Sequence, residues 1–134
     1  MKIVVTANAG DLDAPASAMF GRCPFYVFVD TETMEFEGVA NAAVAASGGA
    51  GIQAAQFIIQ RGAQAVVTGN VGPNAYGVLQ AASVPVYPCQ EETVRAAVEA
   101  FKAGRLSTTG QATGPGHAGM GSRGGRMGMG RRRN

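Results

Sequence analysis

The chain has no tryptophan, one histidine and two cysteines, and charged side chains make up only 15% of its 134 residues. Two cysteines are too few for a disulfide scaffold, so reduced thiols are expected. Because there is neither a CxxC motif nor a Cys/His cluster, a classical zinc or iron–sulfur site is excluded. The single histidine, His117, lies near the carboxyl end, so acid–base catalysis has few candidates.

Long apolar runs are also missing. The amino-terminal segment has only three strongly apolar residues in a row, Ile3, Val4 and Val5, before it becomes polar. Such a run is too short for the core of a signal peptide, and no other segment is long enough to span a bilayer. These absences predict a cytoplasmic protein without a membrane partner.

Acidic side chains are absent from residues 107–134, which carry five arginines and nine of the twenty glycines. Residues 1–106 carry six Lys/Arg against all nine acids, so their net charge of −3 and the tail's +5 give the overall +2. The tail has almost nothing that could pack, and its composition is typical of disorder. We therefore predict an α/β domain over 1–106 and a disordered Gly/Arg/Met-rich tail over 107–134.

Apolar patterning in the first part of the chain predicts five strands and three helices. The order βββαβαβα indicates parallel crossovers between strands 3, 4 and 5, with strand 2 antiparallel to its neighbours. The sequence thus predicts a five-stranded mixed sheet of order 3-2-1-4-5. The strands are expected over 2–7, 25–30, 34–40, 63–69 and 84–88, and the helices over about 51–61, from Pro73 onwards, and from a first turn with Glu91 and Glu92.

In such a sheet the loops after strands 1, 3, 4 and 5 leave from one edge, where open α/β sheets bind their ligands. These loops are 8–24, 41–51, 70–74 and 88–90. We therefore expect the glycine-rich segment before the first helix to lie beside the segments MFGRCP and NVGPN.

The glycine-rich segment SGGAGIQAA, residues 47–55, fits the dinucleotide pattern G-x-G-x-x-A through Gly49, Gly51 and Ala54. The context argues against a dinucleotide, because the preceding loop is long and no acid follows at the ribose-binding distance. A P-loop is excluded because no Lys-Ser/Thr pair follows. Two interpretations stay open: a general anion site made of backbone N–H groups, or a flexible loop before a helix.

A second helix start, NVGPNA, combines Gly72 and Pro73 with the short polar side chains of Asn70 and Asn74. Two helix amino termini at one sheet edge favour negative charge between them, although ordinary helix capping also explains each residue singly.

The segment FGRCP adds Arg22, a fixed cation, and Cys23, a soft metal ligand whose thiolate an adjacent arginine favours. Its position in a polar loop predicts that Cys23 is exposed, against the alternative of core packing. Cys89, at the end of strand 5, could serve the same edge, but Glu91 and Glu92 oppose its ionisation and core packing is the favoured interpretation.

Catalytic carboxylates are not where a two-metal nuclease or phosphotransferase needs them. Strand 1 carries no acid, and Asp11, Asp13 and Asp30 lie in loops or at a strand end, where they favour turns. The sequence therefore predicts a binding protein and not an enzyme.

Three segments, FGRCPFYVFVD, ASGGAGIQAAQFI and AVVTGNVGPNA, resemble the signature segments of the dinitrogenase iron–molybdenum cofactor biosynthesis family. The resemblance covers about residues 1–104. It implies a ribonuclease H-like three-layer fold and non-catalytic binding of anionic metal–sulfur clusters. In this family these are Fe-Mo-S precursors in nitrogenase carriers and a Mo-Cu-S cluster in the orange protein of sulfate reducers. Cluster-assembly or ATPase proteins are the implied protein partners.

The residues that match the family segments are the implied cluster-binding residues, with Asn70 and Cys23 added from their position at the same edge. The histidine-bearing loop of the nitrogenase carriers has no counterpart here, which favours an orange-protein-like, stand-alone member. The matches are Phe20, Gly21, Arg22, Ser47, Gly48, Gly49, Ala50, Gly51, Gly72, Pro73 and Asn74.

The tail allows further functions. His117, Met120, Met127 and Met129 are soft or borderline ligands that could capture Cu(I). The five arginines could instead make the chain an interaction module for an acidic partner or nucleic acid. Without interleaved aromatics they would contact only phosphates, so we expect no specific nucleic acid partner. A plain solubilising end is the third interpretation.

Overall fold

The computed structural model describes residues 1–42 and 49–110. Within them the element order is βββαβαβα, as the sequence predicts. The elements are β1 Lys2–Ala7, β2 Phe25–Asp30, β3 Phe36–Ala40, α1 Ala50–Gln60, β4 Ala65–Thr68, α2 Pro73–Ala81, β5 Val86–Pro88 and α3 Val94–Lys102.

The five strands form one mixed sheet of order β3-β2-β1-β4-β5, which confirms the predicted topology. Strand β1 pairs antiparallel with β2 and parallel with β4, so Val5 lies opposite Val27 on one side and Val67 on the other. Strands β4 and β5 are parallel, and β2 and β3 are antiparallel. The carboxyl ends of β1, β3, β4 and β5 consequently meet at one edge of the sheet.

Alternate residues of the central strands face two separate cores. Val4 and Val66 pack with Ile58 of α1 and Leu79 of α2 on one face. The neighbouring positions in β1 and β4 face the other way, onto Val98 of α3. The fold therefore has three layers, with α1 and α2 on one side of the sheet and α3 on the other.

Two local predictions are wrong. Strand β3 begins at Phe36 and not at residue 34, because Met34 adopts a left-handed conformation with φ 62° in the turn after β2. Helix α3 begins at Val94, with the side chain of Thr93 accepting a hydrogen bond from the Ala96 N–H at 3.1 Å. Its first turn therefore holds no acid, and Glu91 precedes the helix.

The packed chain continues beyond α3. Leu106 packs against the core that faces α3. The N–H of Thr109 donates to the carbonyl of Val86 at 3.0 Å, and Tyr76 Oη donates to the carbonyl of Thr109 at 3.1 Å. The described contacts thus extend three residues past the predicted boundary at residue 106. The longest described helix, α1, has 11 residues, and none of the helices within 1–42 and 49–110 is long and apolar enough to cross a bilayer.

Candidate functional site

A crevice of about 390 Å³ lies at the carboxyl edge of the sheet, between the β1–β2 loop and the amino termini of α1 and α2. It brings together three segments, 20–22, 49–52 and 72–75, that are well separated in the sequence. The residues that line it are Phe20, Gly21, Arg22, Gly49, Ala50, Gly51, Ile52, Gly72, Pro73, Asn74 and Ala75.

Helix α1 begins at this crevice without a side-chain cap. Its N-cap, Gly49, has φ 74° and ψ 13°, a left-handed conformation in which a side chain would be strained. The first-turn amides of Ala50, Gly51 and Ile52 have no carbonyl partner one turn earlier in the helix. They point their N–H groups, and the positive end of the helix dipole, towards the crevice.

Helix α2 begins at the same crevice in a different way. Its N-cap, Gly72, is extended (φ −74°, ψ 168°) and makes no side-chain cap either, and Pro73 occupies the first turn. Neither α1 nor α2 has an acidic residue in its first turn. Two positive helix ends and Arg22 therefore line one cavity, and none of the described residues that line it is acidic.

The walls of the crevice are in unusually close contact. A Cβ atom on Gly21 would lie 3.0 Å from the Cα of Gly51, and a Cβ on Gly51 would lie 3.2 Å from the Cβ of Ala75. Larger residues at either glycine would push the loop away from α1, or α1 away from α2. These two glycines bring the backbones of all three segments to the cavity.

Phe20 fixes the β1–β2 loop at its base. Its buried ring packs 5.7 Å from the ring of Tyr26, centroid to centroid. Tyr26 Oη donates to the Phe20 carbonyl at 2.5 Å, and the Phe20 N–H donates to the carbonyl of Asn70 at 3.1 Å. The loop is therefore tied to both β2 and the end of β4.

Three polar side chains within the described residues are buried at this edge: Thr6, Asn41 and Thr68. Thr6 and Asn41 donate hydrogen bonds to carbonyl groups of the β1–β2 loop, and Thr68 is hydrogen-bonded to Thr6. Asn41 Nδ2 donates to the carbonyls of Gly21 at 3.1 Å and Cys23 at 2.8 Å. Thr6 Oγ1 donates to the carbonyl of Ser17 at 2.6 Å. The sequence analysis missed this group, although a polar residue directly after an apolar strand, such as Asn41, is the signal that could have found it.

The prediction that Cys23 is exposed is wrong. The side chain is fully buried among the residues beneath α1 and α2, and its thiol donates to the carbonyl of Phe20 at 3.4 Å. Burial raises the pKa of Cys23 to about 11, against the lowering expected from the neighbouring arginine. Its side chain is part of the core and not of the crevice lining.

Asn70 and Cys89 line a neighbouring depression of about 400 Å³, together with Ser17, Gly69 and Glu91. The structure thus does not bring these two residues to the main crevice. Cys89 is half-buried, and burial is the main cause of its raised pKa. The Phe20–Asn70 hydrogen bond joins a residue of the crevice lining to a residue of this depression. Unlike the described lining of the crevice, the depression includes an acidic residue, Glu91.

Several predicted site residues lie outside the described part of the chain: Ser47 and Gly48 in the loop before α1, and His117, Met120, Met127 and Met129 in the tail. Within residues 1–42 and 49–110, no three His, Cys, Asp or Glu side chains lie together so as to hold a metal ion. The described crevice therefore offers charge and N–H groups rather than ligand atoms.

Comparison with known proteins agrees with this architecture. The model of the family described as dinitrogenase iron–molybdenum cofactor matches residues 1–104. The structure of the apo form of the orange protein from Desulfovibrio gigas has a TM-score of 0.81 and 40% identity, and the match covers 84% of this chain and 96% of that one.

Two further proteins are similar to this chain. An NMR structure of a candidate NifB protein from Thermotoga has a TM-score of 0.75 and 32% identity, over 86% of this chain and 98% of that one. An uncharacterized protein of Methanocaldococcus jannaschii is 29% identical over 93 residues, which are 67% of this chain and 79% of the relative. The family match spans nearly all of the described fold, and the chain belongs to the dinitrogenase iron–molybdenum cofactor family.

Proposed function

We propose that the chain is a non-catalytic carrier or scaffold that binds an anionic metal–sulfur cluster in the crevice between the β1–β2 loop, α1 and α2. The observation that carries the proposal is the convergence of Arg22 and two helix amino termini without side-chain caps on one cavity, whose described lining residues include no acid. Membership of a cofactor family supports it, as does the 40% identity to the orange protein, whose structure is that of an apo form.

The residues of the crevice fit a sulfide-coated anion better than a bare metal ion. A cation would be repelled by Arg22 and by both helix ends, whereas each exposed helix terminus favours an anion by about 0.3–1 kcal/mol. Backbone N–H groups at Gly51, Ile52 and Ala75 are suited to hydrogen bonds with sulfide or oxo atoms. The volume of about 390 Å³ is within the usual range of small-ligand sites.

The type of cluster that we propose follows from the side chains available to bind a metal. Because Cys23 is buried and the described residues of the crevice lining include no histidine, we propose a cluster held by charge and hydrogen bonds, of the Mo-Cu-S type, rather than one bonded through its metal. The described lining residues also include no paired acid and base, and we propose binding and release without catalysis.

Reconstitution tests the proposal. Purified protein is incubated without oxygen with tetrathiomolybdate and Cu(I) and then desalted, and the retained visible charge-transfer band is measured. We expect Arg22→Glu to lose most of the band, because reversing the charge adds repulsion against a multiply charged anion.

Arg105→Glu is the matched control, since it makes the same charge change at an exposed position outside the crevice. It should retain the band, and so should Cys89→Ser. The site assignment would be wrong if Arg22→Glu kept the colour while Cys89→Ser lost it, because the cluster would then lie in the neighbouring depression.

A further inference from the structure

Two successive carbonyl groups of the β1–β2 loop are turned towards buried side chains. The Phe20 carbonyl accepts from Tyr26 Oη at 2.5 Å and from the Cys23 thiol at 3.4 Å. The Gly21 carbonyl accepts from Asn41 Nδ2 at 3.1 Å. Tyr26 and Cys23 are 0% exposed and Asn41 is 6% exposed, so both carbonyl oxygens point into the interior of the protein.

The planarity of the peptide group then fixes where the adjoining N–H groups point. In a trans peptide the carbonyl of one residue and the N–H of the next point in opposite directions, and both peptides here are trans. The Gly21 N–H therefore points away from Tyr26 and Cys23, and the Arg22 N–H points away from Asn41. Residues 20–22 form a turn, and successive N–H groups on one side of a turn make a concave site for an anion.

The turn that carries these N–H groups lies at the crevice. Gly21 and Arg22 both line it, and a Cβ atom on Gly21 would lie 3.1 Å from the amide nitrogen of Gly51 in the first turn of α1. Among the hydrogen bonds within residues 1–42 and 49–110, none has the Gly21 N–H as its donor. The loop thus brings main-chain donors of its own to the cavity, beside those of α1.

We propose that Tyr26 and Asn41 are positioning residues of the crevice. They hold two loop peptides so that the N–H groups of Gly21 and Arg22 donate to one sulfide or oxo atom of the bound anion. Neither Tyr26 nor Asn41 is among the described residues that line the cavity, so each acts through the peptide that it binds. The identity of the ligand rests on the proposed function, to which the loop adds a third group of main-chain donors.

The test uses tetrathiomolybdate alone as the probe, without copper, and measures its affinity for the full chain under argon by titration in amide NMR spectra. Tyr26→Phe removes only the hydroxyl that donates to Phe20, and Asn41→Leu removes the amide with little change in volume. Thr6→Val is the matched control, since it also removes a buried hydroxyl, one that donates to the carbonyl of Ser17 in the same loop. Thermal unfolding of each variant measures stability separately from affinity.

We expect Tyr26→Phe to bind the probe about three- to tenfold more weakly, because only the weak thiol donor of Cys23 then holds the Phe20 carbonyl. Asn41→Leu should lose more than about tenfold, and Tyr26→Phe alone decides if that variant does not fold. Thr6→Val should lose stability and keep the parent's affinity. Unchanged affinity in either loop variant would overturn the role of that side chain. An equal loss in Thr6→Val would overturn both roles, because affinity would then follow the stability of the fold.

Amide hydrogen exchange without any anion separates this inference from the proposed function. The Gly21 amide should exchange rapidly, because it faces the crevice, whereas the amide of Val27 in the middle of the sheet should exchange slowly. A slowly exchanging Gly21 amide would overturn the direction of the peptide, whatever the crevice binds. If the amide exchanges rapidly and the parent binds no tetrathiomolybdate, the proposed function fails and the anion contact with it, while the direction of the peptides stands.

Discussion

Gly21 and Gly51 are in backbone contact, since a Cβ atom on Gly21 would lie 3.0 Å from the Cα of Gly51. The β1–β2 loop and the first turn of α1 are therefore held at a fixed distance from each other. Any side chain at Gly21 must push the loop away from α1 beside the crevice that Arg22 and the first turn of α1 line.

Replacing Gly21 with alanine should lower both stability and cluster retention. Overpacking of this kind typically costs about 1–3 kcal/mol in the free energy of unfolding. Denaturant unfolding measures that cost, and the visible band after reconstitution measures retention. Gly77→Ala is the control, because nothing lies within 4 Å of a Cβ there and alanine in a helix interior gains about 0.5–1 kcal/mol. If both variants retain the cluster equally, the contact does not set the crevice width.

Gly72→Asp should raise the stability of the fold and lower the retention of the cluster. Gly72 has an extended conformation that any residue adopts, and an aspartate at an N-cap satisfies first-turn N–H groups and interacts with the helix dipole. We expect the variant to be more stable by a few tenths to about 1 kcal/mol. It should retain much less cluster, because its carboxylate occupies the anion-binding N–H groups.

Gly72→Asn keeps the capping group and removes the charge, so its retention should lie between that of Gly72→Asp and the parent. An unchanged band in Gly72→Asp would mean that the α2 terminus does not contact the cluster.

The pH dependence of stability should report the burial of Cys23. Burial holds the pKa of the Cys23 thiol at about 11 in the folded protein, whereas the unfolded chain releases the thiol proton near the ordinary cysteine pKa of 9.0. The stabilisation is therefore complete below about pH 9 and is lost as pH rises to about 11, by up to about 1.4 kcal/mol per pH unit. Burial also raises the pKa of Tyr26, which acts in the same direction at higher pH.

Unfolding in urea between pH 8 and 11, under reducing conditions, should show a shallower decline for Cys23→Ala than for the parent. Only the slopes are compared, because the alanine also leaves a small cavity. If the free energy of unfolding declined with pH equally steeply in both proteins, Cys23 would not be a buried thiol with a raised pKa.

Two truncations should differ in thermal stability. A chain that ends at Gly110 keeps Leu106 and Thr109, and it should melt at the same temperature as the full chain. A chain that ends at Gly104 loses Leu106 from the core and the Thr109 hydrogen bonds to Val86 and Tyr76. A loss of about 1 kcal/mol would lower the melting temperature by about 4–8 °C for a domain of this size. Equal melting temperatures for the two truncations would show that the segment contributes nothing.

The topology was predictable from the sequence because apolar runs such as Ile3–Val5 and Val66–Val67 occur between clear turn and helix signals. The direction of each strand then follows from whether a helix intervenes, and the sheet order is confirmed. Glycine and proline at Gly49, Gly51 and Pro73 similarly marked two helix starts that the fold brings to one cavity.

The failures have a common physical cause, because they depend on contacts between residues that are distant in sequence. Cys23 is hydrophobic enough for the core, and its burial depends on Tyr26 and Phe20 folding over it. Asn70 and Cys89 do lie at the predicted edge of the sheet, yet they line a separate depression there and not the main crevice. Asn41 was missed because its role is to bind carbonyls eighteen and twenty residues earlier.

A crevice made of main-chain amides and one guanidinium responds to the size and charge of its ligand, and not to the identity of the metal inside it. On the proposed function, two tetrahedral thioanions of equal charge and similar radius, such as those of molybdenum and tungsten, would present the same sulfur surface to Gly51, Ala75 and Arg22. Discrimination between these elements would then depend on the reaction that supplies the thioanion, before it reaches this protein.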